Sequence, residues 1–133
     1  MRTTQPPLFA PETEWVMPDE LKDLTHYKEI AVDLETYDPN LTVSGSGNVV
    51  GNGHIAGVAL AVEGWSGYFP IGHQSGGNMD TTLVFSWLRD LFNREDKTFI
   101  FHNAMYDVCW LRSNGMHIKG KIVDTMIAAS LIT

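Results

Sequence analysis

The chain has 133 residues, 44 % hydrophobic and 19 % charged, which suits one domain with a real core and is too short for two. Its aromatic content argues against disorder, and no apolar run nears the roughly 20 residues of a membrane helix. A formal charge of −7 argues against a broad basic face for gripping phosphate, but permits carboxylates that hold divalent metals which then meet the phosphates.

Cys109 is the single cysteine, so no intramolecular disulfide and no zinc-finger spacing exist. Polar and proline-rich residues at the start stand where a signal peptide would carry its apolar stretch. These features predict a cytoplasmic protein with no membrane partner.

Residues 1–24 read as a proline-rich arm, with Pro6, Pro7, Pro11 and Pro18 and little periodicity, leading into a domain over 25–133. The segment 29–36, Glu-Ile-Ala-Val-Asp-Leu-Glu-Thr, alternates apolar and acidic positions and predicts a strand with two different faces. Residues 45–53 are glycine-rich and read as a loop joining strands; no Gly-Lys-Ser/Thr follows, so this is not a phosphate-cradling loop. A nearly continuous apolar run over 55–62 predicts a buried strand, and 67–71 a third strand joined to it as a hairpin around Gly64.

Asp80 is the expected N-cap of a helix over 81–92, with Leu83, Val84, Trp87, Leu88, Leu91 and Phe92 forming its apolar face. Residues 97–101 predict a short strand, after which Asn103 is expected to cap a helix running to the Asn114-Gly115 stop signal. A short strand is expected near 118–123, then a helix capped by Asp124. The β-β-β-α-β-α order implies an α/β fold, a mixed sheet flanked by helices.

Two groups of residues carry candidate chemistry. Asp33 and Glu35 lie two apart on a strand, so their side chains leave the same face with Cα atoms roughly 6.5–7 Å apart, a spacing suited to hard oxygen ligands of Mg²⁺ or Mn²⁺. An Asp-x-Glu pair alone is a weak motif and more often marks the solvent face of an edge strand. In 101–111, Asp107 follows Asn103 by four residues, which places both on one helix face; plain capping by Asn103 and helix-dipole stabilisation of Asp107 are the simpler accounts.

The two groups in this order are more specific than either alone. Val32-Asp-Leu-Glu-Thr36, followed some seventy positions later by His102-Asn-Ala-Met-Tyr-Asp107, resembles the first and second motifs of the DEDD family of 3′-5′ exonucleases. That family has a ribonuclease-H-like fold and includes the proofreading domain of family A DNA polymerases. The blocks 8–15, 33–39 and 67–71 and the Val123-Asp-Thr-Met126 segment are similar to phage-type members.

The resemblance implies that Asp33, Glu35 and Asp107 are three of four metal-binding carboxylates, with Asp33 bridging two ions and Asp107 acting through water. It implies that Thr36, Asn103 and Tyr106 hold the terminal nucleotide. The implied reaction is two-metal hydrolysis at a single-stranded 3′ end of DNA, releasing nucleoside monophosphates, with ions about 3.5–4 Å apart. The family's third motif sets a Tyr or His four or five residues before an Asp; here only His102 stands so, before Asp107 of the second motif. The chain therefore reads as a ribonuclease-H-like domain truncated before that motif, needing the rest of the exonuclease and polymerase domains in cis or in trans. A non-catalytic nucleic-acid-binding module, or a fragment of a stand-alone DEDD ribonuclease, are the alternatives.

Asp124 matches the family's Asp-Thr helix start, and capping is its expected role. His26, His54, His73 and His117 show no ligand spacing and read as surface or loop residues, although His73 could touch a nucleic-acid strand. Cys109 is expected as a small buried hydrophobe, and Trp65, Trp87 and Trp110 as packing residues.

Overall fold

A computed structural model describes residues 16–127. Most of the proline-rich arm, at 1–15, lies outside the described residues, as does the helix expected after Asp124 beyond its first residues, 125–127, which are helical. The order is β1 (Glu29–Tyr37), α1 (Leu41–Ser44), α2 (Gly47–Val50), β2 (His54–Val62), β3 (Trp65–Pro70), α3 (Thr81–Phe92), β4 (Thr98–Phe101), α4 (Ala104–Ser113) and β5 (Lys121–Asp124).

The strands form one mixed sheet in the order β3-β2-β1-β4-β5. The first three make an antiparallel meander, and β4 and β5 add to β1 in parallel through helical crossovers. Alternation along β1 sends Ile30, Val32 and Leu34 to one face, where they join Val58, Leu60, Phe69, Phe99 and Phe101 in the core. From α3, Val84, Leu88, Leu91 and Phe92 complete that core, and from α4, Trp110 and Leu111. The other face carries Ala31, Asp33, Glu35, Ala59 and Ala61, small or polar residues rather than core formers, with Ile100 beside them.

Asp80 accepts from the Leu83 N–H at 3.2 Å and begins α3 as its sequence implies. Leu83 itself is 63 % exposed, off the buried stripe; Trp87 is half-buried, packs on Phe69 and donates to the Lys22 carbonyl. Lys97 is buried because its ammonium donates to the carbonyls of Thr25 and Tyr27 at 2.8 and 2.6 Å, tying the approach to β1 against β4.

The segment 45–53 differs from the loop expected. It contains α2, and α1 lies just before it, because the Asp38 carboxylate receives the Gly47 N–H on both oxygens, at 3.0 and 3.1 Å. A Cβ at Gly47 would collide with the Asn52 carbonyl, so glycine serves here to let the backbone fold onto itself. Asn48 then ties this segment to the Cys109 carbonyl of α4 at 2.8 Å. Cys109 is half-buried rather than fully buried, since α4 turns Trp110 and Leu111 inward instead.

Candidate active site

Asp33 pairs across the ladder with Ala59, and Ala59 with Tyr68, so these three residues share the open face of the sheet. Glu35 pairs with Gly57 on the same face, and a β-bulge follows between Glu35 and Thr36. A depression of about 650 Å³ lies on this face, with Asp33, Ala59, Tyr68, Ile100 and His102 in its lining.

Parallel pairing of β1 with β4 ends at Ala31 and Ile100, so the further course of that edge is free to meet α4. There Asp107 Oδ2 accepts the Leu34 N–H at 3.3 Å, lying against the strand residue between Asp33 and Glu35. Asp107 is only 5 % exposed. Burial pushes its pKa up to about 6; the Leu34 hydrogen bond opposes this, and the charges of Asp33 and Asp124 add to it. It is a carboxylate short of positive charge.

The start of α4 is not capped as expected. Asn103 sits in the left-handed region (φ 69°, ψ 62°) with no side-chain cap, and the Asp124 carboxylate takes the N–H groups of Asn103 and Ala104 at 3.0 and 2.8 Å. The sharp turn from β4 removes Asn103 from helical spacing, so its side chain is exposed while that of Asp107 is buried. Asp124 also accepts from the Met126 N–H at 2.9 Å, and these backbone donors, Ala104 foremost, hold its pKa below the usual carboxylate value.

Thr36 and Tyr106 do come together: their hydroxyls are 2.9 Å apart, and Tyr106 also donates to Asp38 Oδ2 at 2.7 Å. The Glu35 carboxylate points across β2, where Tyr68 donates to Oε1 at 2.5 Å and His73 Nε2 lies 3.1 Å from the same oxygen. The sequence pattern puts His73 in a surface loop, free to touch a nucleic-acid strand, and gives no role to Tyr68 or Asp38. The roles of Tyr68 and His73 depend on hairpin register, and that of Asp38 on distant contacts with Gly47 and Tyr106, none of which pattern alone gives.

Glu35 is turned toward β3 while Asp107 reaches the edge of β1 from α4, and no three His, Cys, Asp or Glu side chains gather into a ready ligand cluster among the described residues. The donor set nevertheless fits a hard divalent cation: it is all oxygen, and one member is a buried carboxylate that positive charge would relieve.

A ribonuclease-H-like mixed α/β domain with acids on one open strand is the class that this architecture defines. Among solved structures, NrnC of Brucella melitensis superposes with a TM-score of 0.54 at 20 % identity, covering 80 % of this chain and 45 % of that one. A second NrnC structure, with bound Mg²⁺, has a TM-score of 0.54 and the same coverage. A family model described as 3′-5′ exonuclease matches residues 10–133, and the chain belongs to that family.

The DNA-directed DNA polymerase of Pseudomonas phage M6 is 35 % identical over 125 residues, covering 90 % of this chain and 19 % of that protein. The DNA polymerase of Bacillus phage SP01 is 36 % identical over 77 residues, covering 53 % of this chain and 8 % of that protein. The chain thus spans a fifth or less of the length of these relatives. No helix among the described residues is long and apolar enough to cross a membrane.

Proposed function

We propose that this chain forms the N-terminal part of the 3′-5′ proofreading exonuclease domain of a phage-type family A DNA polymerase, its residues 25–133 belonging to that domain and 1–24 to a leading arm. It would act in the host cytoplasm on a single-stranded DNA 3′ end, together with the rest of the exonuclease and polymerase domains. The observation that carries the reading is the placement of Asp33 and Glu35 on the open face of β1 with Asp107 bonded to the residue between them, in a member of the exonuclease family.

Asp33, Glu35 and Asp107 are the residues to hold Mg²⁺ or Mn²⁺. Bound divalent ions would supply an activated water and stabilise charge on the leaving 3′ oxygen. The chain's own groups do the rest. Thr36 and Tyr106, joined through their hydroxyls, and the exposed carboxamide of Asn103 grip the terminal nucleotide. Asp38, bonded to both Tyr106 and Gly47, keeps the Tyr106 ring in place during binding.

In a polymerase-length chain carrying these residues, Asp33→Ala is expected to abolish release of nucleoside monophosphates from a 3′-labelled strand and to leave polymerisation intact. The 133-residue chain alone is expected to release them very slowly. An unchanged release rate in the Asp33→Ala chain overturns the assignment.

A further inference from the structure

Glu35 is held by more than its own strand. Tyr68 belongs to β3, two strands away, or about 10 Å at the usual strand spacing. Its ring reaches Glu35 by lying over Gly57, the residue directly opposite Glu35 on β2. A Cβ at Gly57 would collide with the Tyr68 hydroxyl and Cζ, so this glycine in the middle of a strand is the opening through which the contact is made. Tyr68 lies on the open face, off the buried core cluster.

His73 stands beside Tyr68. Its backbone is fixed by a reciprocal pair with Asn78, the His73 N–H donating to Oδ1 at 2.8 Å and Nδ2 donating to the His73 carbonyl at 2.9 Å. The ring meets Tyr68 edge-on with centroids 5.8 Å apart, and Nε2 lies 2.5 Å from the Tyr68 hydroxyl oxygen. A phenol has one proton. Since Tyr68 gives it to Glu35, His73 Nε2 is the donor toward the Tyr68 oxygen, and it lies 3.1 Å from Glu35 Oε1 as well. Tyr68 and His73 thus both stand against Oε1 of Glu35, with Tyr68 as its donor.

We propose that Tyr68 and His73 are positioning residues that preset the Glu35 carboxylate to receive a divalent cation, with Gly57 as the opening that permits the contact. The inference rests on the reading of Asp33, Glu35 and Asp107 as metal ligands. An exposed glutamate on a strand otherwise samples many rotamers, and ordering it before an ion arrives removes that entropy loss from binding. Hydrogen-bond partners of ligating carboxylates act in this way at metal sites generally.

The test is Mn²⁺ titration of the 133-residue chain, with free ion read by electron paramagnetic resonance and folding followed by thermal melts. The chain should bind Mn²⁺, and Asp33→Asn should lose that binding. Tyr68→Phe, which removes only the hydroxyl, should weaken binding about tenfold. His73→Ala should weaken it less, and His73→Gln, which restores a donor, should recover part of the loss; this pair decides the matter if Tyr68→Phe also lowers the melting temperature. Binding in Tyr68→Phe and His73→Ala as tight as in the unaltered chain, or tighter, overturns the positioning role alone. A chain that binds no Mn²⁺ at all overturns the metal-site reading, and the positioning role falls with it.

Discussion

Val32 and Leu34 are buried under α3 and α4, while Asp33 and Glu35, their neighbours on β1, stand on the open face. The two sets differ in what their replacement would do. The buried pair contributes free energy through apolar area removed from water. The acidic pair lies off that core, Asp33 in line with Ala59 and Tyr68, and Glu35 bonded to Tyr68. One strand thus divides core residues and candidate ligands between alternate positions, and Asp107 is where the division fails, since it is a candidate ligand that is also buried.

The comparison can be broken most forcefully from the core side. Leu88→Ala, at a fully buried position of α3, should cost about 3 kcal/mol by urea unfolding, through lost burial and the cavity left behind. A loss below about 1 kcal/mol would mean that the helix-covered face does not dominate stability.

Asp107→Asn sharpens the boundary case. In metal-free buffer the folded pKa of about 6 exceeds the ordinary value of 3.8, so the folded chain binds more protons between them. Stability from this group is present below about pH 4 and is lost as pH rises through about 6. The melting temperature of the unaltered chain should therefore fall relative to that of Asp107→Asn over this window. A constant difference between the two curves would show that Asp107 titrates normally. The smallest effect is expected at Leu83, on the exposed side of α3, where alanine should change stability by no more than about 0.5 kcal/mol in the same urea experiment.

How far the sequence leads depends on the range of the forces involved. The strands β1 to β4 and α3 follow from local periodicity and one capping carboxylate, and their positions agree closely with that reading. The same alternation places Asp33 and Glu35 on one face. What it misses is set by side chains that act over distance. The α2 turn exists because Asp38 holds Gly47, and the left-handed Asn103 because Asp124 receives its N–H from twenty-one residues away. The turn of Glu35 toward Tyr68 requires the β2–β3 register and a glycine at 57, neither visible in an Asp-x-Glu pattern.

The Asp124 carboxylate has a consequence for assembly of the sheet. It occupies the last rung of the β4–β5 ladder, opposite Phe101, and its two oxygens meet the first amides of α4. If β5 slipped by one residue, Val123 or Thr125 would face those amides and the paired acceptor would be gone. Parallel strands joined by a crossover lack a tight turn to set their alignment. Asp124 works here as a key that admits one alignment, so the turn bearing Asn103 closes only when the outermost described strand has docked in register.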